Sequence, residues 1–156
     1  LYVPQKGFFF AGTIRENLMY GLSDKVSDKE LIVALRSVCL YDSLVATVLD
    51  KNFVAADGID KMVLDYAIGE GGTGLSGGEG QHLSLARVFL RRPKVFVFDE
   101  ITTCLDGNTA EKVLFNIEEY AKNIGAGIIY ISHDDRVVTR CKYVIKLVNQ
   151  LIFANK

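Results

Sequence analysis

The tetrad Ser76-Gly77-Gly78-Glu79 opens a stretch whose Leu83, Ala86 and Leu90 recur at helical spacing, and a little further on the apolar run Val95-Phe96-Val97-Phe98 ends in Asp99-Glu100. A glycine-led helix followed by an apolar strand that closes in two carboxylates leaves few architectures open. The first N–H groups of a helix have no intrahelical acceptor, and the helix dipole favours negative charge there, so the tetrad suits a phosphate. Of two carboxylates at a strand end, one can hold a magnesium-bound triphosphate while the other works on water.

The rest of the chain supplies the setting. Thr13 and Glu16 have capping-box spacing for a short helix; Ser27 and Glu30 repeat it ahead of the stripe Leu31, Ala34, Leu35 and Val38; Ser76 and Glu79 carry it again. Pro93 after Arg92 ends this last helix. The period then changes. Residues 95–98 are expected to be a strand buried on both faces, 108–121 a helix turning Val113, Leu114, Ile117 and Ala121 inward, and 127–131 a second buried strand. A short helix over 134–140 and edge strands over 143–148 and 151–153 follow. Strand, helix, strand with such connections predicts an α/β class with a parallel sheet whose ligands lie beyond the carboxyl ends of the strands. Asp99, Glu100, Ser132 and His133 all fall there. The glycine-dense segment 69–78 is expected to be a loop.

Composition excludes several classes. A chain of 156 residues, 49% hydrophobic, can bury a sizeable core. With 18 basic and 19 acidic residues the net charge is −1, which gives no electrostatic case for nucleic acid or an anionic membrane surface. The Arg91-Arg92 pair reads as a solvated helix end. Apolar runs such as Ile128-Ile129-Tyr130-Ile131 fall far short of the roughly 20 residues that span a bilayer. Cys39, Cys104 and Cys141 are odd in number and widely spaced, as expected of free thiols in a reducing compartment, with Cys104 expected as a small buried side chain. No leader is visible, and Leu1 stands inside sequence that already reads as structured, so the chain is expected to be a piece of a longer protein.

In this order and setting, Gln5, residues 75–81, Asp99-Glu100, Leu105-Asp106 and His133 resemble an ATP-binding cassette (ABC) ATPase along the whole chain. Val3-Pro4-Gln5 and the segment from Phe8-Phe9-Phe10 to Asn17 are similar to the glutamine loop and following segment of exporter-type cassettes. Gly69-Glu70 resembles the exporter cross-talk loop, Leu75 to Glu79 the family signature, the strand ending at Asp99 the Walker B strand, Thr102 to Asp106 the dimer-contacting loop, and Ile131-Ser132-His133 the switch histidine. The resemblance implies a partial P-loop NTPase-like ABC domain: a parallel sheet core with an inserted helical subdomain, about 8–92 being helical and about 93–156 the second half of the α/β core. It implies ATP and Mg²⁺ as cofactors. Asp99 and Gln5 are expected at the metal and Glu100 at the attacking water. His133 would meet the γ-phosphate, its neutral imidazole donating one hydrogen bond and accepting another, and Gln5 would sense metal and water. Ser76, Gly77, Gly78 and Glu79 would serve nucleotide held by a second cassette, in a homo- or heterodimer with Asp106 at the contact. Phe8, Phe9, Phe10 and Glu70 would face a transmembrane domain of the same or a partner chain, at the cytoplasmic face of a membrane; an aromatic cluster of this kind also suits plain core.

The sequence departs from the family in places. No G-x-x-x-x-G-K-[ST] occurs, so the phosphate cradle is expected upstream of Leu1, and the chain alone is not expected to hydrolyse ATP. Gly80 and His82 stand where the family commonly carries basic or polar residues, which weakens the case for extra positive charge beside the signature. Two other readings compete: a soluble cassette ATPase without a membrane domain, and a dinucleotide fold using Gly69, Gly71 and Gly74 after a β-like Met62-Val63-Leu64. The second leaves Gln5, Glu100 and His133 idle.

Overall fold

The computed structural model describes residues 1–51, 58–148 and 151–155. Strands β1 (Tyr2–Val3) and β2 (Gly12–Thr13) lead into helices α1 (Ile14–Met19), α2 (Asp28–Ser37), α3 (Tyr41–Lys51) and α4 (Ile59–Leu64). Then come β3 (Ala67–Ile68), a 3-10 turn over Glu70–Gly72, and α5 (Gly77–Ala86), which tightens into a 3-10 turn over Arg87–Leu90 ahead of Pro93. The second half is β4 (Val95–Asp99), α6 (Gly107–Ile124), β5 (Gly127–Ile131), α7 (Asp135–Val138), β6 (Val144–Val148) and β7 (Leu151–Asn155).

Capping explains why the helices begin where they do. Thr13, Ser27 and Ser76 each accept from the backbone three residues on, while Glu16, Glu30 and Glu79 reach back to the cap, giving three reciprocal capping boxes worth about 1 kcal/mol each. Asp106 caps α6, and Gly125 ends it in the left-handed conformation. The stripe Leu31, Ala34, Leu35 and Val38 is buried, as are Leu83 and Ala86 of α5 and Val113, Leu114, Ile117 and Ala121 of α6. Among the described residues no single helix is long and apolar enough to cross a membrane; α2 and α3 meet at 108° and bury Leu31, Leu35, Leu44 and Val48.

β1, β4 and β5 form a parallel sheet in the order β1-β4-β5, with Val3 opposite Phe98 and Asp99 opposite Ile131. Only one of its faces is covered. Phe96 and Phe98 are fully buried and stack at 5.7 Å, with Tyr130 against Phe98 at 5.4 Å. The other face leaves Tyr2, Val95, Ile129 and Ile131 between 43% and 55% exposed. The expectation that β4 and β5 are buried on both faces is therefore corrected: an unbroken apolar run satisfies either arrangement, and here the alternate residues meet solvent. The expected edge strands also differ. β6 and β7 pair with each other as a separate antiparallel hairpin and hydrogen-bond to neither β4 nor β5.

Met62-Val63-Leu64 lies in α4, not in a strand, with Val63 and Leu64 buried. β3 pairs antiparallel with β2, and the glycines after it form the 3-10 turn, so the dinucleotide fingerprint has no parallel βαβ unit to sit in.

Candidate functional site at the carboxyl ends of the parallel strands

The parallel register sets Asp99 and Glu100 beside the loop that follows β5. The Glu100 amide donates to the Ile131 carbonyl at 2.9 Å, continuing the ladder one residue past the strand. Glu100 then turns into the left-handed region (φ 50°), a conformation of some cost for a residue with a Cβ and held only by its surroundings. Thr103 supplies part of that hold, its hydroxyl donating to the Glu100 carbonyl at 2.9 Å. The turn brings the carboxylate to His133, whose Nδ1 donates to Glu100 Oε1 at 2.8 Å. That hydrogen bond, followed by the negative charge itself, raises the imidazole pKa. The pairing sets which ring nitrogen plays which part. With Nδ1–H committed to Glu100, a neutral ring offers a lone pair at Nε2, and only the imidazolium can donate to a phosphate oxygen.

Asp99 is on the open face of the sheet and accepts the Tyr2 hydroxyl at Oδ2, 2.7 Å away. That hydrogen bond raises the phenol pKa. Gln5 stands exposed just beyond the carboxyl end of β1, at the same end of the sheet. Ser132 and His133 line a cavity of about 570 Å³ with Ile131, Val144 and Lys146.

Ser76 and Gly78 lie elsewhere, in a cleft of about 260 Å³ with Cys39, Ser43, Glu79, His82 and Asp106. The structure thus joins the signature tetrad to Asp106, and Glu100 to His133, around different clefts. A Cβ on Gly77 would meet nothing within 4 Å, whereas one on Gly78 would lie 3.4 Å from the Cys104 carbonyl, so the helix start is open at one glycine and packed at the other. Both Glu79 oxygens are occupied, Oε2 by the Ser76 amide at 2.8 Å and Oε1 by the Ser43 hydroxyl at 2.5 Å. Burial works to raise the Glu79 pKa, but these bonds outweigh it and the value falls. Ser43, on α3, carries no sequence signal for this role. Asp106 accepts from the Thr109 amide at 3.0 Å as the cap of α6, and the bonds from Thr109 lower its pKa. His82 reaches the Val38 carbonyl through Nδ1, tying α5 to the end of α2. Cys104 is exposed and not buried as expected, because the turn after β4 points it outward while Ile101, Thr102 and Leu105 fill the interior.

The aromatic run divides. Phe8 is 64% exposed and Phe10 half-buried, both leaning on Tyr20, but Phe9 is core, so it cannot face a partner. Glu70 is exposed and adjacent, since the Gly71 amide donates to the Phe9 carbonyl at 3.1 Å. Beneath them lies Arg87, which the sequence did not single out: it donates to the carbonyls of Phe8 (2.8 Å) and Asn17 (2.9 Å). Burial pushes its pKa down to about 10. Arg91 is not a solvated helix end either; it is half-buried and donates to the carbonyls of Arg87 and Tyr20.

Among the described residues no three His, Cys, Asp or Glu side chains gather as a metal cage. One carboxylate at a strand end fits Mg²⁺ instead, an ion that keeps several waters and takes other ligands from phosphates.

A parallel α/β sheet with paired carboxylate and histidine at its strand ends, joined to a helical segment with a glycine-led helix, is the architecture of an ABC ATPase domain. The ABC transporter family profile matches residues 1–103. The chain belongs to the ABC transporter family. It is 34% identical over 146 residues to the lactococcin-G-processing and transport ATP-binding protein LagD of Lactococcus lactis subsp. lactis, covering 94% of this chain and 18% of that protein. It is 39% identical over 135 residues to the ATP-dependent permease MDL1 of Candida albicans (85% and 17%), and 33% identical over 146 residues to ABC transporter B family member 17 of Arabidopsis thaliana (93% and 11%). Among solved structures, a bacterial Atm1-family ABC exporter with ATP bound superimposes with a TM-score of 0.72 at 28% identity, covering 92% of this chain and 22% of that one. The chain therefore spans between 11% and 18% of the length of these curated relatives.

Proposed function

We propose that the chain forms the signature and water-handling portion of a cassette that hydrolyses MgATP to drive export across a membrane. The observation that carries this is the 2.8 Å hydrogen bond between His133 and Glu100, one residue past Asp99 at the carboxyl ends of adjacent parallel strands. ATP with Mg²⁺ supplies the phosphoryl group and the charge neutralisation; the residues supply position and proton handling. Asp99, one oxygen held by Tyr2, presents the other to the ion's water shell. Glu100, with Oε1 engaged by His133, presents Oε2 to the attacking water as general base. The His133 imidazolium donates from Nε2 to the transferring phosphoryl group, and Gln5 approaches the same place from the end of β1.

Ser76 and Gly78 line a different cleft from His133; together with Gly77 they serve nucleotide held by a second cassette, identical or not, with Asp106 at the contact. Glu79, which lines the same cleft, holds that helix start through Ser76 and Ser43 beside the nucleotide. Residues 8–92 form the helical signature subdomain and 93–156 the catalytic half. Phe8, Phe10 and Glu70 face a transmembrane domain, which places the chain at the cytoplasmic face of a membrane. With no G-x-x-x-x-G-K-[ST] in its 156 residues, the chain alone does not turn over ATP.

The test is Glu100→Gln in the assembled transporter. ATP binding is retained while turnover falls by about two orders of magnitude or more, as expected when a general base is lost. Unchanged turnover would remove the reading.

A further inference from the structure

Four donors making five hydrogen bonds converge on a carboxylate that the proposed chemistry leaves unused. Asp134 follows His133 and precedes α7. The Thr102 hydroxyl donates to its Oδ2 at 2.8 Å, the Arg136 amide to Oδ1 at 3.0 Å, and the Arg136 guanidinium to Oδ1 from Nε at 3.0 Å and to Oδ2 from Nε and Nη2 at 3.0 and 2.7 Å. The Asp134 amide closes the loop on itself by donating to Ser132 Oγ at 3.1 Å. Thr102 is 3% exposed, so this is a fastening into the interior and not a surface contact.

Thr102 belongs to the tight turn that holds Glu100. The Leu105 amide donates to the Thr102 carbonyl at 3.1 Å, and both the Thr103 amide (3.4 Å) and its hydroxyl (2.9 Å) donate to the Glu100 carbonyl. That turn keeps Glu100 in the left-handed backbone region that aims its side chain at His133. One carboxylate thus joins the turn after β4, which carries Glu100, to the loop after β5, which carries His133. Beyond the bond from the Glu100 amide to the Ile131 carbonyl, no backbone hydrogen bond joins the two loops among the described residues.

We propose that Asp134 is a positioning residue for the Glu100–His133 pair: anchored on its own side by Arg136 of α7, it holds Thr102 of the turn after β4 and so fixes the two loops in the register that lets His133 reach Glu100. It rests on the function proposed above. Asp134 acts only through these neighbours, since both its oxygens are taken by Thr102 and Arg136. Its depressed pKa, owed first to Arg136, keeps the clasp charged throughout the neutral range. Charge-assisted bonds from a guanidinium fork and a buried hydroxyl are directional as well as strong, which suits a device that sets geometry.

The test uses the assembled transporter and the variants Asp134→Ala, Asp134→Asn, Thr102→Val and His133→Ala. Misplacing a reacting group by a fraction of an ångström to an ångström costs about tenfold to a hundredfold in rate. Asp134→Ala should accordingly lower kcat about tenfold or more while KM for ATP stays within about twofold, and Thr102→Val should act in the same direction. Asp134→Asn, which keeps an oxygen for Thr102 and the side-chain volume of the aspartate, should fall between. In a His133→Ala background, Asp134→Ala should cost clearly less than it does alone, because one member of the pair it positions is gone. Amide exchange over 101–105 should quicken in Asp134→Ala without quickening in α6, which a general loss of stability would not reproduce.

Unchanged kcat in both Asp134→Ala and Thr102→Val, or full multiplication of the Asp134→Ala and His133→Ala effects, would overturn the proposal while leaving a turnover loss in Glu100→Gln intact. Unaltered turnover in Glu100→Gln would overturn the functional reading and this proposal with it.

Discussion

Tyr2 and Asp99 sit on neighbouring parallel strands with the phenol hydroxyl 2.7 Å from Asp99 Oδ2, on the sheet face that is open to solvent. A partner that fixes a carboxylate's orientation tunes what its other oxygen can hold, and removing such a partner typically costs tenfold or more in metal affinity. Tyr2→Phe keeps the ring and removes the donor. In the assembled transporter, the Mg²⁺ concentration for half-maximal ATP turnover should rise about tenfold at saturating ATP. An unshifted Mg²⁺ titration would show that Asp99 holds its orientation unaided.

The Glu100–His133 contact carries a definite pH dependence. The folded imidazole pKa is raised above its ordinary value of 6.5, chiefly by the hydrogen bond to Glu100. The contact therefore contributes stability that is fully present below pH 6.5 and is lost as pH rises through the raised folded value. If the imidazolium is the donor to phosphate, turnover falls over that same alkaline window. NMR of the ring should give a His133 midpoint above 6.5 that drops in Glu100→Gln. A midpoint that ignores the Glu100 substitution would deny the pairing in solution.

Local signals carried the sequence reading a long way, because a capping box, a glycine-led helix and an apolar run each write their geometry into a few adjacent residues. Thr13, Ser27 and Ser76 cap helices as their spacing predicts, and Glu100 and His133 meet because parallel strand ends are adjacent. Three adjacent apolar residues carry no period, so Met62-Val63-Leu64 is β-like enough to lend the competing dinucleotide reading a strand, and the two-residue strands β2 and β3 give no signal at all. An all-apolar β4 likewise could not reveal that one of its faces is open. Ser43, Arg87 and the clasp of Thr102 on Asp134 join residues 36, 70 and 32 positions apart, where no local pattern exists to find them.

Two adjacent glycines separate backbone cost from packing cost. Gly71 has φ 67° and a Cβ added there would meet nothing within 4 Å, while Gly72 has φ 85° and its added Cβ would lie 3.1 Å from the Phe9 ring. An L-residue in the left-handed region costs about 1 kcal/mol, so Gly71→Ala should lower unfolding stability by about that much. Gly72→Ala adds displacement of a buried ring and should cost about 2–3 kcal/mol. Urea unfolding of the two variants compares them directly. Equal losses would mean that Phe9 yields freely, and with it the seam between the aromatic run and the turn after β3.

Arg87 is held by carbonyl oxygens, with no carboxylate partner among the described residues: Nη1 to Phe8, Nε to Asn17, and Nη2 to the Asn17 side chain at 3.4 Å, the guanidinium lying 5.0 Å from the centre of the Phe9 ring. Asn17 is itself fully buried and donates to the carbonyls of Phe10 and Thr13, so one network fixes the aromatic run, α1 and the turn after α5. Truncating Arg87 strands several polar groups without donors, each costing about 1–3 kcal/mol when kept from water. Arg87→Ala should therefore destabilise by about 3 kcal/mol, near the upper end for single substitutions. Arg87→Lys should recover little of this, because an ammonium cannot fan across three acceptors or lie flat on a ring. Denaturant midpoints measured with ATP turnover distinguish the two consequences. Lysine restoring stability in full would mean that charge alone is needed at this position, and the planar fork would lose its part in holding Phe8 and Phe10 at the surface.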